Sequence, residues 1–282
     1  MDSLVSTQWL TEHLDDPDLV LLDCTVVTMP EDDGGFHNVS GRPDYELGHI
    51  PNAGFADLLE DLSDTSGDLE FILPTPERFC TAMGRLGVGD TSKVVLYDTN
   101  YTGWAARIWW MLYWVGFDNA ALLNGGMSAW AAEGRPLSLD RVERSPRQLT
   151  PHTRPEVMAD RDEVLAALND DSVLLIDTLP EAFYRGEVTM YHRPGHIPGA
   201  VSINGFRLFD HHGRFHDDAQ LAAIHDFDKD RRIITYCGGG IVASSEAFVL
   251  NRLGFRNVAV YTASLQEWGA DPSCPLVVGD QP

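Results

Sequence analysis

Basic residues are scarce in this 282-residue chain, and lysine is nearly absent. The sequence has 43 aspartates and glutamates against 20 lysines and arginines, and only Lys93 and Lys229 are lysines. The formal charge of −23 would repel a polyanion, whose binding needs basic side chains to neutralise its phosphates. The composition therefore argues against nucleic acid or an anionic membrane as the partner.

Long apolar runs are also missing. No stretch approaches the length of about 18 apolar residues that would suggest a membrane span. The first residues, Met1–Leu4, show no basic segment followed by an apolar one, as a signal peptide would. We therefore expect a soluble protein without a cleaved signal, with the cytoplasm as its default location.

Cysteine is limited to four widely spaced positions, Cys24, Cys80, Cys237 and Cys274. None belongs to a Cys-x-x-Cys pair or to a cysteine and histidine cluster with the spacing of a zinc site. The sequence thus indicates neither a disulfide framework nor a metal site. We expect Cys24, Cys80 and Cys274 to be packing residues.

Cys237 has a different context from the other three cysteines. The β-type run Arg232–Tyr236 leads into Cys237 and the glycines Gly238, Gly239 and Gly240, and a helical pattern follows. Backbone N–H groups of such a turn can point inward, and together with the helix dipole they stabilise a thiolate and hold an anion. Side chains at the glycines would obstruct this approach. The pattern favours a reactive thiolate, and the alternative is a structural cysteine before a simple turn.

The same local signatures occur twice, in the same order, about half the chain length apart. The most distinctive pair is Gly48–Ala53 (GHIPNA) and Gly195–Ala200 (GHIPGA), 147 residues apart. The other pairs are Leu21–Asp23 with Leu175–Asp177, Val94–Asp98 with Ile233–Cys237, and Gly116–Trp130 with Gly254–Trp268. This order indicates a duplicated domain. The copies differ where Asp98 matches Cys237, so only the second half can be a thiol site.

Short β-type runs alternate with helical patterns in both halves. The runs are 19–23, 93–97, 120–123, 173–176, 232–236 and 258–261, and the clearest helical patterns are 106–115 and 241–253. This alternation predicts an α/β fold in which each parallel sheet is covered by helices on both faces. The polar stretch Leu137–Pro155 lacks periodicity and is the expected linker between domains 1–136 and 156–282.

The histidines of the two GHIP motifs, His49 and His196, are interpreted as turn-stabilising groups rather than acid–base catalysts. Asp23 and Asp177 follow strands directly. We expect each to accept backbone N–H groups of the next loop.

Taken together, these motifs resemble the two-domain rhodaneses, the thiosulfate and 3-mercaptopyruvate sulfurtransferases. The resemblance covers nearly the whole chain and rests on the GHIPxA motif of both halves, Leu123–Trp130, the Cys237 loop and Glu267–Pro272. It implies tandem rhodanese-like domains. The first would be non-catalytic, the second catalytic, and the active site would lie in the cleft between them.

The resemblance also implies a transferase that moves a sulfane sulfur through a persulfide on Cys237. The donor would be thiosulfate or 3-mercaptopyruvate, and the acceptor a thiophile such as cyanide, a small thiol or a protein thiol, for example that of a thioredoxin-like protein. No metal or organic cofactor is needed. The amides of Gly238, Gly239, Gly240, Ile241 and Val242 would stabilise the anionic sulfur.

The anionic group of the donor needs a cation. Arg185 is the first candidate, since family members carry an arginine-containing segment at this spacing, and Arg193 is the second. An ordinary surface ion pair is the alternative for either one. Some family members have arginine where this chain has Phe183 and Leu179, so the preferred donor stays open, although the glycine-rich loop is closer to the mercaptopyruvate type.

Two other functions are compatible with a cysteine in such a loop. A cysteine-dependent phosphatase needs an arginine about six residues after the cysteine, where this chain has Ala243, which disfavours that function. A sulfur carrier would use the same Cys237 to receive sulfur and present it to a protein partner. Efficient turnover of small donors would distinguish the enzyme from the carrier.

Overall fold

The computed structural model describes residues 1–31 and 35–282, which group into two compact units. Unit 1 comprises Met1–Ser66, Leu73–Arg154 and Phe209–Phe215, and unit 2 comprises Gly67–Ile72, Pro155–Leu208 and His216–Pro282. Each unit thus includes a short segment from the other half of the sequence. Residues 137–154 of the expected linker group with unit 1, and the limits at 136 and 156 stay a prediction.

Unit 1 is built around a parallel sheet. Its strands are β1 (Leu4–Val5), β2 (Leu19–Asp23), β3 (Val26–Pro30), β4 (Phe36–Ser40), β5 (Ala53–Phe55), β6 (Lys93–Tyr97) and β7 (Ala120–Leu123). Its helices are α1 (Thr7–His13), α2 (Arg42–Leu47), α3 (Pro76–Arg85), α4 (Gly103–Trp114) and α5 (Gly126–Ala132). Strands β3 and β4 form an antiparallel hairpin, and the others pair in parallel in the order β1-β7-β6-β2-β5. All residues of β2 are buried, so both faces of this inner strand are covered.

Unit 2 repeats this sheet. Its strands are β8 (Met158–Ala159), β9 (Val173–Asp177), β10 (Val201–Ser202), β11 (Arg232–Tyr236) and β12 (Val258–Tyr261). Its helices are α6 (Arg161–Ala167), α7 (Glu181–Tyr184), α8 (Asp218–Ile224), α9 (Ile241–Arg252) and α10 (Ser264–Trp268). The strands pair in parallel in the order β10-β9-β11-β12-β8, which matches unit 1 strand for strand when read from the other edge. The duplicated topology agrees with the internal sequence repeat.

The regular elements follow the sequence pattern closely. The six predicted β-type runs are strands with the predicted bounds, except that β9 extends one residue further, to Asp177. The predicted helix at 106–115 begins three residues later than α4, which starts at Gly103, and ends one residue beyond it. The helix is buried on nearly all sides, so its apolar periodicity does not mark where it starts. None of the helices in the part of the chain that the structure describes has the length and apolarity that a membrane crossing requires.

The interpretation of the two GHIP histidines as turn-stabilising groups is confirmed. Nδ1 of His49 lies 2.9 Å from the carbonyl oxygen of Tyr45, and Nδ1 of His196 lies 2.7 Å from that of Tyr184. Each imidazole also stacks on the ring of the same tyrosine. Both histidines are buried, so they hold the chain between helix and strand in their own unit.

The aspartates that follow strands also have the expected local role. Oδ1 of Asp23 accepts the Thr25 N–H at 2.9 Å, and Oδ1 of Asp177 accepts the Leu179 N–H at 2.9 Å. The chain leaves the sheet at the carboxyl ends of β2 and β9, and these bonds give the backbone N–H groups there a hydrogen-bond acceptor.

Candidate active site

Cys237 lies at the carboxyl end of β11, inside the turn that opens α9. The Gly240 N–H donates to Sγ of Cys237 at 3.1 Å, and the residue is only 2% exposed. The first N–H groups of α9, those of Ile241 and Val242 included, have no acceptor within the helix and add the positive end of its dipole. The turn therefore presents a backbone donor, the Gly240 N–H, to a buried sulfur.

The backbone on both sides of the sulfur is tied to the start of α10. The Cys237 N–H donates to Oγ of Ser264 at 3.1 Å, and the Leu265 N–H donates to the Cys237 carbonyl at 3.1 Å. The next residue is held in the same way, because Gln266 donates its N–H to the Gly238 carbonyl at 2.9 Å. These bonds fix the direction in which the loop amides point, which is the preorganisation that anion stabilisation requires.

Glycine is required at 240 by the backbone itself. Gly240 has φ 79° at the N-cap of α9, a left-handed conformation that side-chain-bearing residues rarely adopt. A Cβ there would also lie 2.6 Å from the carbonyl oxygen of Thr262. In addition, Oγ of Ser244 donates to the Gly240 carbonyl at 2.6 Å and closes the turn.

The other two loop glycines, Gly238 and Gly239, differ in how much space surrounds them. A Cβ on Gly238 would overlap the hydroxyl and ring of Tyr191. A Cβ on Gly239 would meet Cδ2 of Phe71 at 3.4 Å and Nε2 of Gln266 at 3.5 Å, which are ordinary contact distances. The expectation that side chains would obstruct the turn therefore holds most strongly at 238 and 240, whereas 239 has room for a methyl group.

Unit 1 has a carboxylate where unit 2 has the thiol. Oδ1 of Asp98 accepts the N–H groups of Asn100 and Thr102 at 2.8 and 3.0 Å, and Oδ2 accepts that of Ala105 at 2.9 Å. Burial raises the pKa of Asp98 to about 7 in spite of these donors. The turn before α4 thus binds its own side chain, which agrees with the expectation that only the second half is a thiol site.

Arg185 lies on the surface of unit 2 in ion pairs. Its Nε is 2.9 Å from Oε1 of Glu187, and its Nη1 is 3.5 Å from Oδ1 of Asp280. This is the surface pairing that the sequence left open as an alternative. To bind the anionic group of a donor, Arg185 would have to give up these exposed ion pairs. Anion binding by Arg185 therefore stays a prediction.

Arg193 holds backbone instead. Its guanidinium donates to four carbonyl oxygens at 2.7 to 2.9 Å, those of Trp268, Gly269, Asp271 and Cys274. These contacts close the carboxyl end of α10 and the segment after it. The Nε and Nη2 donors of Arg193 are used in this way, so the residue has a structural role here. Anion binding by Arg193 stays a prediction, second to that by Arg185.

The other cysteines are packing residues, as expected. Cys24, Cys80 and Cys274 are buried and form no disulfide. Burial raises the pKa of Cys80 to about 12 and that of Cys24 well above its usual value. A thiol that stays protonated is a poor nucleophile, which disfavours Cys24 and Cys80 as acceptors of the donor's sulfur.

Sequence reasoning missed the residues that surround the Cys237 loop from elsewhere in unit 2. The side-chain amide of Gln266 exchanges two hydrogen bonds with the backbone of Glu70, which brings Phe71 against Gly239. Tyr191 reaches Gly238 from the loop between α7 and β10. Neither contact has a local sequence signal, since the first joins residues 196 positions apart.

Comparison with known proteins identifies the family. The rhodanese-like domain matches residues 6–133 and 160–271, once in each half. Over 278 residues the chain is 33% identical to the 3-mercaptopyruvate sulfurtransferase of Escherichia coli K12, covering 96% of both chains. It is 32% identical over 296 residues to the sulfur carrier protein TtuD of Thermus thermophilus, covering 99% of this chain and 97% of that one.

Solved structures agree with this assignment. SseA from Escherichia coli, described as having the rhodanese fold of 3-mercaptopyruvate sulfotransferases, superposes with a TM-score of 0.82 at 31% identity, covering 94% of this chain and 99% of that one. An anaerobic ergothioneine biosynthesis enzyme from Chlorobium limicola shares the fold with a TM-score of 0.81 at 23% identity, covering 99% and 70%. The class defined by fold and loop is thus a tandem rhodanese-like α/β protein, as the sequence predicted. The chain belongs to the two-domain rhodanese family of sulfurtransferases.

Proposed function

We propose that this protein transfers a sulfane sulfur from 3-mercaptopyruvate or thiosulfate, through a persulfide on Cys237, to a thiophilic acceptor such as cyanide, a small thiol or a protein thiol. The observation that carries the proposal is the N–H of Gly240, which donates to Sγ of Cys237 at the N-terminus of α9. The relatives named as 3-mercaptopyruvate sulfurtransferase and as sulfur carrier protein support sulfur transfer.

The reaction consists of two displacements at sulfur. In the first, the Cys237 thiolate attacks the outer sulfur of the donor and a new S–S bond forms. The electron pair of the broken bond leaves with sulfite from thiosulfate, or with the enolate of pyruvate from 3-mercaptopyruvate, which then takes a proton. In the second, the acceptor attacks the outer sulfur of the persulfide, and the Cys237 thiolate is released.

The loop supplies the electrostatic part of this chemistry. The negative charge is on Sγ before the first step and on the outer sulfur after it. The amides of residues 238–242 and the dipole of α9 stabilise that charge without moving. The stretch Gly238–Ser245 contains no lysine or arginine, so backbone dipoles carry this role.

The persulfide is tested by mass spectrometry after treatment with each donor. The wild-type protein should gain the mass of one sulfur atom, and Cys237→Ser should gain none and lose turnover. Cys80→Ser is the matched control and should behave as the wild type does. Loss of the mass gain in a folded Cys80→Ser, or its retention in Cys237→Ser, would contradict the assignment.

A sulfur carrier is the second candidate, favoured by the similarity to TtuD. A carrier would form the same persulfide but discharge it slowly to cyanide or small thiols. Steady-state turnover with 3-mercaptopyruvate and with thiosulfate, using cyanide as acceptor, separates the two functions.

A further inference from the structure

Tyr191 lies against the Cys237 loop, and the function proposed above does not use it. It belongs to the loop between α7 and β10, and its phenol occupies the space that a side chain at 238 would fill. Gly238 is not among the residues with positive φ, so its backbone conformation does not require glycine. The side chain of Tyr191 is the reason for glycine directly after the cysteine.

The loop that carries Tyr191 is held firmly in this place. The Arg193 N–H donates to the Tyr191 carbonyl, and the Arg193 guanidinium anchors the same segment to the carbonyls that end α10. Gly269 allows the close approach, because a Cβ there would lie 2.8 Å from the Tyr191 carbonyl oxygen. The structural role of Arg193 is thus to fix Tyr191 beside the Cys237 loop.

The phenol of Tyr191 remains a hydrogen-bond donor at this position. Burial, followed by the negative charge of Cys237, raises the pKa of Tyr191 well above its usual value. Glu70 and Asp177 act in the same direction. A neutral phenol beside an anionic sulfur can donate its proton in a hydrogen bond without losing it.

We propose that the Tyr191 hydroxyl donates a hydrogen bond to the outer sulfur of the Cys237 persulfide and is a catalytic residue of this site. The inference rests on the proposed function. The Gly240 N–H already serves the inner sulfur, and the stretch Gly238–Ser245 offers no cation for the outer one. A phenol fills this need and, unlike a lysine, forms no ion pair that would hold the sulfur against transfer.

The test is Tyr191→Phe, which keeps the ring and removes the hydroxyl. In single-turnover experiments with 3-mercaptopyruvate, we expect persulfide formation to slow by roughly ten-fold or more, since a hydrogen bond to a charged group is lost. Tyr184→Phe is the matched control, because it removes a buried hydroxyl that donates to the Ala200 carbonyl at 2.7 Å. It should lose thermal stability and keep the rate of persulfide formation.

A second pair of variants tests the geometry if the phenylalanine variant folds poorly. Gly238→Ala should displace the Tyr191 ring and slow persulfide formation. Combining it with Tyr191→Ala should relieve the overlap and recover stability but not the rate. Recovery of the wild-type rate in the double variant would contradict a role for the hydroxyl.

The outcomes distinguish this inference from the proposed function. If the wild type gains one sulfur atom and folded Tyr191→Phe forms and discharges persulfide at the wild-type rates, only the role of Tyr191 is overturned. If Cys237→Ser keeps the mass gain, the proposed function itself fails. A slow Tyr191→Phe beside an unaffected Tyr184→Phe supports both.

Discussion

At the scale of single residues, the three loop glycines serve three different purposes. Gly240 provides a left-handed backbone at the N-cap of α9, Gly238 gives room to Tyr191, and Gly239 faces Phe71 and Gln266 at contact distance. A glycine-rich sequence alone does not distinguish these purposes. For this reason, substitutions at the three positions should differ in how much they lower stability and how much they lower activity.

Valine substitutions should separate the two effects. Gly239→Val should slow persulfide formation strongly while leaving thermal stability largely intact, because the added methyls press on Phe71 and disturb the amide geometry. Gly240→Val should lower the free energy of unfolding by about 2 kcal/mol or more, since a β-branched residue is strained at φ 79°. Thermal unfolding and persulfide mass gain measure both. Equal loss of stability in the two variants would contradict this division.

Arg185 is the residue predicted to bind the anionic group of the donor. Arg185→Ala should reduce kcat/KM for thiosulfate by roughly ten- to a hundred-fold, mainly through KM, while discharge of preformed persulfide changes less. Arg256→Ala is the control with the same change of charge, because Arg256 is 83% exposed and its Nη1 lies 3.9 Å from Asp230. Similar kinetics in both variants would remove Arg185 from the donor site.

At the scale of helices and strands, much of the fold follows from local sequence. The runs at 93–97 and 232–236 are apolar enough to be buried on both faces, and Cys237 and Asp98 follow directly as the first residues of the two loops. The walls of the site could not be predicted in this way. Phe71 and Tyr191 reach the Cys237 loop through tertiary contacts that depend on Gln266 and Arg193, and no periodicity encodes such contacts.

The carboxyl end of α10 provides the prediction at this scale. Arg193→Lys should lower the free energy of unfolding by about 2 kcal/mol, because one ammonium group cannot reach the four carbonyls and leaves some of them without a donor. Arg185→Lys, at an exposed ion pair, should leave stability nearly unchanged. Chemical denaturation of both variants checks this. A stable Arg193→Lys with a raised KM for thiosulfate would instead make Arg193 the donor site.

At the scale of the whole molecule, the two units have sheets with matching strand orders. They differ in the side chain that the corresponding loop, before α4 or α9, binds. In unit 1 the backbone N–H groups of this loop donate to the carboxylate of Asp98, and in unit 2 the Gly240 N–H donates to the sulfur of Cys237. Each unit also buries an aspartate whose pKa burial raises to about 7, Asp98 in unit 1 and Asp177 in unit 2. Both groups contribute to the way in which the stability of the protein responds to pH.

The contribution of Asp177 to the free energy of unfolding should fall as pH rises from about 4 to about 7. Because the pKa of Asp177 is raised to about 7 from 3.8, the folded state holds its proton more tightly than the unfolded chain does. The stability that this proton contributes is therefore fully present below the pKa of the unfolded chain. It is lost as the pH rises through the pKa of the folded state. A shift of this size corresponds to at most about 4 kcal/mol.

Asp177→Asn tests this origin, because the amide cannot ionise and keeps an oxygen for the Leu179 N–H. Chemical denaturation at pH 5 and pH 8 should give a smaller difference between the two pH values for Asp177→Asn than for the wild type, with the gain in stability largest at pH 8. Asp230→Asn, at a site 77% exposed, is the matched control and should follow the wild-type curve. If Asp177→Asn shows the wild-type pH dependence, the buried carboxyl of β9 is not what destabilises the protein as pH rises.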